Sequence, residues 1–234
     1  MNKVRKIRNV KRKAYLGSVG TQRKKFCTEY QRASAQILDK MYKTFVVGLT
    51  QKGKRISCKK GCTYCCFQHI SVPLAHGIVI VDYLYSNDKV MKIFLSNYGQ
   101  WQDAAGTIPK EFDAKYISAV KTSDPNVLLT LHGDYLTSRY FNMQIACPFL
   151  VKSTCSIYAV RPMCCASHYS TDPCEWCSPT NTNHPVTYEV MPSDDDLYKL
   201  ASLAGPQLSI YQATMPSLVY NILTEGLPSV LNKF

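Results

Sequence analysis

Apolar residues recur at helical spacing through most of this chain. Over 29–47 (EYQRASAQILDKMYKTFVV), Ile37, Leu38, Met41, Tyr42 and Phe45 keep to spacings of three and four, predicting an amphipathic helix that Gly48 stops. The polar stretch 49–57 (LTQKGKRIS) reads as a turn. Pro73 suits the first turn of a helix over about 74–85, and Ser86-Asn87-Asp88 breaks it. Val90, Met91, Phe94, Leu95 and Trp101 predict a further helix over about 88–104. Segments 109–121 and 126–141 read as two more, separated by a turn at Ser123-Asp124-Pro125-Asn126. Ser193 followed by Asp194, Asp195 and Asp196 is a helix start: a hydroxyl caps free amides and the acids sit on the positive end of the dipole. That helix is expected to run to about 204 and to resume over 206–225.

Between 142 and 192 the periodicity fails, and six of the eleven cysteines and six of the twelve prolines fall there. Short irregular backbone folded around a ligand suits that composition better than a helix or a long strand. The expected fold class is therefore mainly α, with helices packed around an irregular, cysteine-rich, metal-binding centre.

Composition narrows the class. With 234 residues, 46% hydrophobic and 19% charged, the chain is long and apolar enough to bury a core without disulfide staples. No run of eighteen apolar residues marks a membrane span. Of the net charge of +12, ten basic residues and no acid lie in 1–28, leaving eighteen basic against sixteen acidic residues in the rest. The expected organisation is a basic tail over 1–28 and a single helical domain over 29–234, containing a cysteine-cluster region at 56–178. Residues 1–25 could hold nucleic acid or another polyanion through counterion release, or serve as a solvated extension. That stretch lacks the apolar core of an export signal, so the expected compartment is cytoplasmic.

In a reducing compartment, clustered thiols point to metal or redox chemistry before structural bridges. One group is CKKGCTYCC, with Cys58, Cys62, Cys65 and Cys66; the other comprises Cys147, Cys155, Cys164, Cys165, Cys174 and Cys177. A thiolate metal site needs sulfurs about 2.3 Å from one ion, and C-x-x-C spacings (Cys62 with Cys65, Cys174 with Cys177) let a single turn aim two of them inward. Adjacent side chains usually diverge, so Cys65 and Cys66 suit two centres, one polynuclear cluster, or one ligand with a supporting neighbour. The count suits two four-cysteine zinc sites or an iron–sulfur cluster with spare thiols. Cys27 stands alone and reads as a buried apolar thiol.

The combination C-x3-C-x2-C-C at 58–66, C-P-F-L at 147–150, C-S-I-Y at 155–158 and R-P-x-x-C at 161–165 resembles the YkgJ-type cysteine-cluster family, described as zinc- or iron-chelating. The likeness spans roughly 56–178. It implies Cys58, Cys62, Cys65, Cys66, Cys147, Cys155 and Cys165 as ligands, with Cys174 or Cys177 as an eighth. The family usually has Arg after the R-P-x-x-C cysteine, where this chain has Ala166, and Cys164 is additional. The cysteine pattern is also similar to that of flagellin lysine N-methylases, which are associated with an iron–sulfur centre, but the chain has no glycine-rich nucleotide loop.

His69 and His168 each follow a cysteine by three residues and are expected to support thiolates more than to ligate. His76 and His132 read as ordinary helix histidines, and Arg161-Pro162 as the turn that presents Cys165. Three readings follow. The chain is a cysteine-cluster protein holding zinc or iron, an iron–sulfur-dependent redox or protein-modifying enzyme, or a zinc-stabilised module that binds nucleic acid or a protein partner.

Overall fold

The computed structural model describes residues 20–59, 61–122 and 135–234. Most of the basic tail (1–19), the turn at 123–126, His132 and the front of the helix expected over 126–141 lie outside them. Within them the chain is mainly helical, with short two-residue and three-residue strands between the helices.

The first helix, α1 (Gly20–Gln51), is longer than expected at both ends. Its buried stripe of Cys27, Tyr30, Ala33, Ile37 and Met41 extends the helical spacing toward the N-terminus, so the helix begins within the expected tail and Cys27 packs in the core. Cys27 is buried as expected, its thiol 3.9 Å from the Ile78 carbonyl. Gly48 does not stop the helix. A stop needs a residue with left-handed backbone, and Gly53 supplies it at φ 67°.

At the centre lies α2 (Leu74–Ser86), with ten of its thirteen residues buried, which makes it apolar on nearly every side. Around it pack α1, α3 (Asp88–Ala105) and a late helix, α9 (Met215–Glu225). His76 is enclosed in α2, its Nε2 3.3 Å from the Val160 carbonyl, and burial pushes its pKa down to about 4, so it is neutral. The remaining helices, in chain order, are α4 (Ile108–Thr122), α5 (Tyr135–Asn142), α6 (Met163–Ala166), α7 (Asp194–Ala204), α8 (Pro206–Ile210) and α10 (Leu227–Leu231). Ser193 caps α7 as its sequence requires: its hydroxyl oxygen accepts from the Asp196 amide at 3.3 Å.

The helix expected over 206–225 is interrupted. Gln212–Thr214 leaves helical geometry to form β6, which pairs antiparallel with β1 (Ser71–Pro73), matching Ser71 to Thr214 and Pro73 to Gln212. Tertiary contacts outweigh local preference here. The Asp113 carboxylate of α4 accepts from the Thr214 amide at 2.7 Å and from its hydroxyl at 2.8 Å, and the Thr214 hydroxyl also lies 2.9 Å from His69 Nε2. A buried Thr214 is thereby fully partnered.

Two expected outcomes follow. Gly77 of α2 lies under Leu218 of α9: a Cβ there would stand 2.6 Å from Leu218 Cδ2, and Leu218 is itself buried with no room to swing. Gly77→Ala should lower the free energy of unfolding by about 1–2 kcal/mol in denaturant titration, overpacking outweighing the gain in helix propensity. Burial raises the Asp113 pKa from 3.8 to about 6 despite the Thr214 bonds. The folded state therefore favours the protonated acid. The contribution is fully present below pH 4 and is lost as pH rises to about 6, by at most about 3 kcal/mol. Asp113→Asn keeps an acceptor for Thr214 but does not titrate. Between pH 4 and 6.5 the wild type should lose stability relative to it; parallel pH profiles would show that Asp113 is not desolvated.

Candidate metal centre

The cysteines sit on four short, irregular pieces of chain held against one side of the helices. The first is the loop 57–70, which contains Gly61 at φ 92° and a 3₁₀ turn, Tyr64–Phe67. The second is a tight hairpin of β2 (Leu150–Val151) and β3 (Thr154–Cys155), turned by Lys152 and Ser153, both at positive φ. The third is α6, started by Pro162. The fourth is the 3₁₀ turn Cys174–Cys177, preceded by β4 (His168–Ser170) in its pairing with β5 (Thr187–Glu189).

Main-chain bonds dock these pieces on one another. The Cys147 amide donates to the Cys66 carbonyl at 2.8 Å, and the Leu150 amide to the Cys147 carbonyl at 2.8 Å. Farther out, the Ser57 amide donates to the Ser170 carbonyl at 2.8 Å, the Ser57 hydroxyl donates to the Asp172 carbonyl, and the Ser170 amide donates to Cys58 Sγ at 3.2 Å. The Cys174 thiol donates to the Ser57 carbonyl at 3.3 Å. Neither Ser57 nor Ser170 carries a motif, and no sequence signal marks them.

Cysteine segments roughly ninety residues apart therefore meet through these bonds, and all eleven cysteines are free thiols. Cys62 and Cys174 are hydrogen-bond neighbours, with Cys58 and Cys177 close enough to Cys174 for their charges to interact. Deeper in, Cys65, Cys66, Cys147 and Cys155 are each within electrostatic reach of the other three, and Cys165 adjoins Cys147 and Cys65. Cys164 points elsewhere, its thiol 3.8 Å from the Ser71 carbonyl. Cys65 and Cys66 do not diverge: in their 3₁₀ turn the two thiols hydrogen-bond to each other, as Cys164 and Cys165 do in α6.

The electrostatics are those of crowded thiols. Burial pushes Cys62 and Cys147 up to about 12 and also raises Cys58, Cys155 and Cys177. Two thiols go the other way: Cys164, lowered by the adjacent Cys165 thiol, and Cys65. The Cys66 thiol donates to it and holds it down near 7, and the Arg161 guanidinium acts in the same direction against burial. Arg161 lies over the Tyr158 ring at 4.4 Å and also draws Cys155 down, a part beyond the turn-forming role expected of it. Among the described residues, no three His, Cys, Asp or Glu side chains are disposed to hold a metal ion as they stand. The donor set nonetheless suits one: soft sulfurs that repel one another when ionised are stabilised together by a cation that displaces their protons. Closing on an ion requires side-chain rotation, Cys174 for example releasing the Ser57 carbonyl.

Of the histidines, His69 bonds Thr214 and packs on Phe112 at 4.2 Å between ring centroids. His168 and His184 line an open cleft of about 390 Å³, together with Tyr64, Trp176 and the thiols Cys58, Cys62, Cys65 and Cys177. The chain matches no protein-family model, and no curated protein or solved structure matches it. Fold defines its class: a mainly helical protein whose eleven cysteines are all free thiols.

Trp176 reports on this region, because it sits inside the Cys174–Cys177 turn. Zinc added to metal-free protein should shift or quench its emission. Trp176→Phe should remove that response, whereas Trp101→Phe, which alters a buried ring bonded to the Tyr140 hydroxyl, should leave it in place.

Proposed function

We propose that this chain is a metal-binding protein whose cysteines hold zinc or iron, Cys58, Cys62, Cys65, Cys66, Cys147, Cys155, Cys165, Cys174 and Cys177 being the candidate ligands. One observation carries the reading: Cys65, Cys66, Cys147 and Cys155, drawn from separate segments, lie within reach of one another as free thiols, and Cys147 and Cys155 back onto the apolar core. Without a bridge or a cation such thiols stay protonated, since burial disfavours their ionised form, and they contribute only as small apolar groups. A bound metal ion reverses that balance and ties 58–66 to 147–177. The resemblance to zinc- or iron-chelating cysteine clusters points the same way.

The choice of metal selects between a structural and a chemical role. A closed four-sulfur zinc site would knit the loops together, while an iron–sulfur cluster beside the cleft would supply electron transfer or support protein modification. Anaerobic purification followed by metal analysis and an absorption spectrum separates them. Stoichiometric zinc in a colourless protein supports the structural role, and visible charge-transfer bands with iron and sulfide support the cluster. Protein that takes up neither metal and melts at the same temperature with and without chelator overturns the reading.

The basic N-terminal segment is assigned to a polyanion, nucleic acid first, on charge alone. Deleting residues 1–19 should weaken RNA or DNA binding and flatten its salt dependence; an unchanged affinity and slope would remove that role.

A further inference from the structure

Resting on the metal-binding reading, we propose that the thiols form two separate metal centres: an outer one of Cys58, Cys62, Cys174 and Cys177, and an inner one of Cys65, Cys66, Cys147 and Cys155.

Chain geometry makes the division. The outer four come as two local pairs, C-x3-C across the turn at Gly61 and C-x2-C across one 3₁₀ turn. Each pair can aim two sulfurs at one point. The pairs face each other, because Ser57 and Ser170 are bonded back to back, Cys58 Sγ accepts from the Ser170 amide, and the Cys174 thiol reaches the Ser57 carbonyl. The two turns meet so closely that Cys62 and Cys174 are hydrogen-bonded.

The inner four are assembled differently. Cys65 and Cys66 share a turn, the Cys66 carbonyl holds the Cys147 amide, and the β2–β3 hairpin brings Cys155 opposite Leu150, three residues beyond Cys147. Cys147 and Cys155 pack on the apolar core, whereas Cys58, Cys62 and Cys177 line the cleft. Cys65 lies at the seam and touches the cleft as well.

Charge and coordination favour the same division. One zinc-like ion takes four thiolates, so eight thiols around a single ion would leave four without a metal. Two ions satisfy all eight. Each four-thiolate site then carries net negative charge, and the inner one has the Arg161 guanidinium near Cys65 and Cys155 to offset it. Cys165, next to Cys164 in α6, stands near Cys65 and Cys147 of the inner set as a fifth thiol.

The two centres should differ in access, since the cleft is lined by three of the outer thiols but only by Cys65 of the inner four, of which Cys147 and Cys155 pack on the apolar core. Cobalt(II) is the probe, because four-thiolate cobalt absorbs in the visible and can be counted as it is bound and released. Full-length protein should take up two equivalents, and a chelator should release one quickly and the other at least about tenfold more slowly, the rate of opening a buried site being limited by local unfolding. The double variant Cys174→Ser/Cys177→Ser should remain folded by circular dichroism, bind one equivalent and lose only the fast phase. Cys147→Ser/Cys155→Ser should lose the slow phase. If the inner variant fails to fold, the outer variant and the biphasic release in the wild type decide the matter alone. Loss of both equivalents in a folded outer variant, or one equivalent leaving in a single phase, overturns the division and leaves metal binding intact. Wild-type protein that takes up no cobalt, zinc or iron sinks both.

Discussion

The cysteine loops depend on one short piece of sheet. The pairing of Ser71–Pro73 with Gln212–Thr214 stands at the point where the first cysteine segment ends and the central helix begins. Asp113 holds it from α4 through the amide and hydroxyl of Thr214, and the Met215 amide donates to the Ile70 carbonyl at 2.8 Å. The Cys164 thiol bonds the Ser71 carbonyl of the same ribbon. Loop 57–70 has little regular structure of its own, so it takes its position from this anchor at one end and from α1 at the other. The ribbon thus fixes one end of the loop that carries the thiols at 58–66, and the direct bonds to 147–177 do the rest.

A second constraint acts within the loops. Their backbone is too irregular to satisfy its own polar groups, so the segments satisfy one another, as Cys66 does for Cys147 and Ser57 for Ser170. Those bonds are also what align the thiols. On the metal-binding reading proposed above, the contacts that complete the main-chain bonding are the ones that would bring the donors together. Protons and metal compete for these sulfurs, so occupancy on this reading is tied to pH as well as to metal supply.

Much of the helical framework was legible beforehand, because it follows from local rules. The stripes at 74–85 and 88–104, the Ser193 cap and the irregular nature of 142–192 all appear where their residues place them. Departures occurred where long-range contact overrode local preference. Gly48 continued a helix because its backbone had no need to turn there, and Gln212–Thr214 became a strand because Ser71 and Asp113 offered partners 101 or more residues away. At the site, the thiols were visible as types and spacings. The tuning of Cys65 by Arg161, the clamp between Ser57 and Ser170 and the cleft beside Trp176 were not. None of those residues bears a signature, and each matters only through a neighbour distant in sequence.

By itself the sequence determined the inventory: helices from their period, a core without staples, and thiols concentrated in two stretches with spacings suited to soft metals. Only the tertiary structure decided which thiols stand together. Spacing constrains sulfurs within one turn, but the pairs that matter here join segments 81 to 119 residues apart, Cys66 to Cys147 and Cys58 to Cys177, across backbone that carries no period.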